Sequence, residues 1–162
     1  MLAVIGCGNP NRCDDGVGPA VIRALRDRAA WGETTGVKLL DVGTDGMAAM
    51  FAARSFRSLI VVDACRSGSP PGAIFEAPGS EFAADYAPSL NLHDFRWENA
   101  LYAGRMMFHE AFPSDVTVLL IEAATVDFGI ELSPSVSAAA TKVVARIERL
   151  IEARLAAGRS AA

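Results

Sequence analysis

Apolar and polar positions alternate along the chain in two periods. LAVIG (2–6) and SLIVVDA (58–64) are continuous apolar runs rich in Val and Ile. That pattern belongs to strands of a sheet covered on both faces. VKLLDV (37–42) and VTVLLIEA (116–123) read the same way. AIFEA (73–77) is shorter and bounded by proline and glycine, which predicts an edge strand. Between the strands the period lengthens to that of a helix. GVGPAVIRALRDRAA (16–30) sets Val17, Val21, Leu25 and Ala29 on one face, and GMAAMFAARS (46–55) is a short Ala/Met-rich helix. Residues 93–112 bring Trp97, Leu101 and Phe108 near one face. Residues 133–156 open with Ser133 as N-cap and Pro134 at the first helical position. Val136, Val143, Val144, Ile147 and Ile151 form the face expected to pack. Strands alternating with helices predict an α/β fold: a single-domain three-layer α/β/α sandwich with a mostly parallel five-stranded sheet.

Length supports one domain, taken as residues 1–158, with 159–162 as a frayed tail. Half the residues are apolar and 21% are charged, a globular composition. The net charge is −4 and no Lys/Arg run stands out, which argues against nucleic acid as a partner. No apolar stretch reaches the ~18 residues needed to span a bilayer, so no membrane partner is expected. MLAVIGCG lacks the basic region of a signal peptide. Three cysteines without framework spacing point to a reducing, cytoplasmic setting. A monomer is expected.

The stretch GCGNPNRCDDGVG (6–18) has the glycines of a phosphate-binding loop but not the GxGxxG spacing. Its adjacent acids, Asp14 and Asp15, would repel a phosphate at a helix N-terminus. A nucleotide-binding module is therefore the weaker reading. In an open parallel sheet ligands bind beyond the carboxyl ends of the strands. Asp15, Asp41, Asp45, Asp63 and Glu122 all fall there. Structural roles compete with functional ones. Asp14 is expected to cap the first helix, and Asp41 can shape a turn through an Asx hydrogen bond. Asp63 follows LIVV in the most buried strand, where a carboxylate needs a partner such as Arg12 or a loop N–H. His109 reads as structural. Two carboxylates and the imidazole of His93 would make a partial divalent-metal site with open positions. A cysteine hydrolase pairing Cys65 or Cys13 with His93 is a rival, although buried cysteines more often simply pack, and Cys7 is read that way.

These blocks, in order, resemble the [NiFe]-hydrogenase maturation endopeptidases. The blocks are Gly6, Gly8, Asn9, Asp14, Asp15, Gly16 and Gly18; Asp41 to Met47 (DVGTDGM); LIVVDA ending at Asp63 and Ala64; Leu92, His93 and Asp94; and Gly129 to Pro134. The similarity spans essentially the whole chain. It implies an endopeptidase that removes the C-terminal extension of a hydrogenase large-subunit precursor after nickel insertion. It implies Asp15, Asp63 and His93 as metal-contacting, catalytic residues. Gly8, Asn9, Asp41, Gly43, Thr44 and Gly46 would bind substrate. Nickel would arrive in the substrate and not be held permanently. A non-catalytic checkpoint that inspects nickel without cutting would keep the same ligands. The chain departs from the family pattern at Pro10 to Cys13, at Asn91 and at Ala123, in loops where client choice should be made.

Overall fold

A computed structural model describes residues 1–28, 30–82 and 96–160. The strands are β1 (Leu2–Cys7), β2 (Val37–Gly43), β3 (Ser58–Cys65), β4 (Ile74–Pro78) and β5 (Asp115–Glu122). Each lies within one residue of its expected bounds. The helices are α1 (Val17–Asp27), α2 (Gly46–Ala53), α3 (Trp97–Phe108) and α4 (Pro134–Ser160). Helix α4 continues four residues past its expected end at 156. Helix α3 stops at Phe108 because His109 takes a positive φ of 46°, and a 3-10 turn, His109–Ala111, follows. The expected start of this helix, at 93, lies outside the described residues.

The sheet runs in the order β2-β1-β3-β5-β4. Pairs β1/β2, β1/β3 and β3/β5 are parallel, and β4 adds to the edge antiparallel to β5. The period-2 alternation of the strands sorts the core into two layers. Leu2, Val4, Ile60, Val62, Leu119 and Ile121 face α1 and α4, where they meet Val21, Leu25, Val143 and Ile147. Ala3, Ile5, Leu59, Val61 and Val118 face α2 and α3, where they meet Met50, Ala53, Trp97 and Leu101. Every residue expected on the packed face of α4 is buried, as are Val17, Val21 and Leu25 of α1; Ala29 lies outside the described residues. No helix among the described residues is long and apolar enough to cross a membrane.

This topology positions the site. From β1 the chain goes to one side for β2 and to the other for β3. The crevice of such a sheet opens at that switch point, over the carboxyl ends of β1 and β3. Gly18 lets α1 press onto the crevice floor, since a Cβ there would lie 2.1 Å from the Cys7 carbonyl oxygen.

Candidate active site

The crevice holds a cavity of about 210 Å³ lined by Cys7, Gly8, Asp15, Val42 to Gly46, Asp63, Arg96 and Trp97. Asp15 comes from the 3-10 turn Cys13–Gly16 that joins β1 to α1. Its Oδ2 accepts the Asn9 N–H at 2.8 Å, which folds the loop back over the strand end. Gly8 sits between the two acids with φ +119°. A Cβ there would meet the Asp15 backbone at 1.8 Å and Asp63 Oδ1 at 3.3 Å, so only glycine fits. The Gly8 N–H donates to Gly43 O at 2.9 Å, tying the first loop to the turn after β2.

Asp63 is 1% exposed. Oδ1 accepts the Ala64 N–H at 2.8 Å, while Oδ2 accepts Trp97 Nε1–H at 2.8 Å and the Arg96 guanidinium at 3.1 Å. Burial pushes its pKa up to about 6, against the opposing pull of Arg96 and the two N–H donors, and the Asp15 charge adds to the rise. A carboxylate so desolvated gains strongly from an added positive charge.

Arg96, not Arg12, is thus the partner of Asp63. Arg12 instead donates to Val126 O at 3.4 Å and lies 4.5 Å above the Phe128 ring. Sequence reasoning missed Arg96 and Trp97. The signal available was the Arg-Trp pair opening an apolar helix, but what it faces depends on how α3 docks over the sheet edge.

Asp14 does not cap α1. Helix α1 begins after Gly16 with no side-chain cap. Asp14 is fully buried and reaches across the fold. Oδ2 accepts from Ala124 N at 2.8 Å, Thr125 N at 3.1 Å and Ser133 Oγ at 2.9 Å, and Oδ1 accepts from Ser133 N at 2.6 Å. It pins the loop between β5 and α4. Asp41 makes the Asx turn, accepting the Gly43 N–H at 3.1 Å, and is absent from the cavity lining. Asn9 is absent from the cavity lining and meets the site through its N–H, which donates to Asp15. Gly43, Thr44 and Gly46 do line the cavity, and Asp45 caps α2 by accepting Ala48 N–H at 2.9 Å.

Glu122, at the end of β5, serves the neighbouring loop. It accepts from Ser67 N and Oγ, Gly68 N and Cys65 Sγ, and these donors hold its pKa down at about 2, the Ser67 N–H most of all. The Cys65 thiol is pushed up to about 12 by burial and by donating to that carboxylate. Burial and nearby Asp63 likewise raise Cys7. Neither thiol is poised as a thiolate nucleophile.

His93 lies outside the described residues. Among the described residues no group of three or more His, Cys, Asp or Glu side chains could hold a metal ion. Asp15 and Asp63, the two carboxylates of the expected set, line the same cavity.

The family model described as HycI, hydrogenase maturation protease, matches residues 19–150. The chain belongs to the hydrogenase maturation protease family. Among individual relatives, the hydrogenase expression/formation protein HupD of Thiocapsa roseopersicina is 27% identical over 145 residues, covering 88% of this chain and 64% of HupD. The chain thus spans under two thirds of that curated relative's length. The hydrogenase maturating endopeptidase HybD from E. coli superposes with a TM-score of 0.74 at 22% identity, over 95% of this chain and 93% of HybD. A [NiFe] hydrogenase maturation protease, HycI from Thermococcus kodakarensis, also gives 0.74, at 18% identity, over 94% and 92% of the two chains. Both likenesses establish that this family member has the maturation-protease fold.

Proposed function

We propose that the chain is an endopeptidase that trims the C-terminal extension of a [NiFe]-hydrogenase large-subunit precursor, reading substrate-borne nickel through Asp15, Asp63 and His93. The observation that carries this reading is the pairing of Asp15 and Asp63 in one cavity at the switch point, in a chain of this family. Asp63 is desolvated and negative, so an arriving cation relieves a cost that the fold already bears. Asp15 is held in place by the Asn9 N–H. The turn from Val42 to Gly46 supplies the opposite lining, where a polypeptide backbone can lie close to glycine. Fixing the scissile bond beside the cation supplies orientation, and a carboxylate beside it can take a proton from water.

The test is a mass-spectrometric processing assay with the precursor large subunit from the same source, with and without nickel loading. Loss of a C-terminal peptide from the nickel-loaded precursor alone is the expected result. Equal cutting of both forms would remove nickel from the recognition step. Binding without cutting would instead favour the checkpoint role.

A further inference from the structure

A second cleft, about 420 Å³, adjoins the first and shares Asp15 and Arg96 with it. Arg12, Arg66 and Arg96 converge on it in a protein whose net charge is −4. Two carboxylates line it as well, and both have partners. Asp15 accepts the Asn9 N–H, and Glu98 lies 3.9 Å from Arg96 Nε. Arg96 is committed to Asp63. Arg12 and Arg66 are exposed and make no ion pair among the described residues.

Both guanidiniums stand on pinned backbone. Arg66 lies between Cys65 and Ser67, which Glu122 holds together with Gly68. Arg12 forms a parallel bridge with Gly129, and the Asp14 clamp anchors the loop behind it. The Phe128 ring lies beneath the Arg12 guanidinium. Guanidinium forks match carboxylates in two-point geometry, and the contacts with Phe128 and Val126 O already restrict the Arg12 side chain.

We propose that this cleft receives a carboxylate of the client polypeptide, on the segment that leaves the Asp15–Asp63 cavity. The proposal rests on the endopeptidase reading for the nature of that client. A polypeptide crossing Asp15 passes from the acidic cavity, which favours a cation, into the cleft with two guanidiniums that have no carboxylate partner among the described residues, which favours an anion. Asp15 and Glu98 in the same cleft favour a single carboxylate over a dianion such as phosphate. The carboxylate can be an Asp or Glu side chain or the chain terminus.

The experiment uses the full chain and three synthetic octapeptides: an acetylated amide with two glutamates, its glutamine counterpart, and that counterpart with a free C-terminal carboxylate. Calorimetry gives affinities for wild type and for the Arg12→Gln/Arg66→Gln double variant, whose thermal melting checks folding. At least one acid-bearing peptide should bind about tenfold tighter than the neutral one, the equivalent of one charge-assisted pair. The preference should vanish in the double variant and shrink with added salt. Which peptide gains tells side chain from terminus. Equal affinity of all three, or a preference the double variant keeps, overturns the proposal. Processing assays separate the two readings. A wild type that cuts precursor with no dependence on Arg12 or Arg66 sinks the cleft alone. An arginine-dependent preference without cutting sinks only the protease.

Discussion

The two neighbouring acids of the first loop carry different loads, and substitution separates them. Asp14 accepts four hydrogen bonds from Ala124, Thr125 and Ser133 while fully buried. Asn in its place has one acceptor oxygen and turns an NH2 toward backbone N–H donors. Asp14→Asn should cost about 2–4 kcal/mol, since buried donors lose charged acceptors; chemical denaturation measures it. A loss under about 1 kcal/mol, the level of an ordinary helix cap, would show that the clamp is not needed. The Asp15 carboxylate accepts one hydrogen bond among the described residues, from Asn9 N, and lines the cavity. On the endopeptidase reading, Asp15→Asn should abolish processing with little change in melting temperature. Cys65→Ser should leave processing intact, because the hydroxyl can still donate to Glu122 and the native thiol, at about 12, is not ionised at neutral pH. A dead but folded Cys65→Ser would bring back the cysteine hydrolase.

At the scale of elements, the strands and the buried faces of α1 and α4 were legible because each is decided locally, by apolar period and by Pro and Gly punctuation. The site was legible in part. Sequence order put Asp15 and Asp63 at strand ends, and topology joins them. What could not be read is what depends on docking between distant segments. Asp14 looked like a cap because capping is a local rule, whereas its partners lie 110 to 119 residues away. The Arg96–Asp63 pair likewise exists only once α3 packs against the sheet. Close helix–sheet approach makes its own prediction. An added Cβ at Gly18 would lie 2.6 Å from Cys7 N and 2.7 Å from Val62 O, both backbone atoms that cannot yield like a side chain. Gly18→Ala should lift α1 off β1 and β3, cost about 3 kcal/mol or more, and move Asp15 with it. Unchanged melting and activity would mean that α1 does not seat as described.

Over the whole molecule the fold carries a desolvated charge at its crevice, and stability and function should therefore answer pH in opposite directions. The pKa of Asp63 is about 6 in the folded protein against 3.8 ordinarily. Between these pH values the native state keeps a proton that the unfolded chain has released. Stability then falls as pH rises through the window and levels off above about 6, a total loss on the order of 3 kcal/mol. Glu122 has the opposite sign, but its pKa is held near 2, so its contribution is lost only below 4.5. The interval from pH 5 to 7 thus separates Asp63 from Glu122. Without added metal, wild type should gain about 1 kcal/mol relative to Asp63→Asn on going from pH 7 to 5. Subtracting the variant cancels the other titrations. Processing needs the ionised form if Asp63 meets a cation, so its rate should fall about tenfold per pH unit below about 6. Denaturation curves and initial rates over the same pH series decide it. Parallel changes in stability and rate would mean that acid merely unfolds the protein. Opposed changes, with the stability slope absent in Asp63→Asn, would mean that the crevice keeps a carboxylate whose burial its partners only partly offset because the proposed reaction uses it.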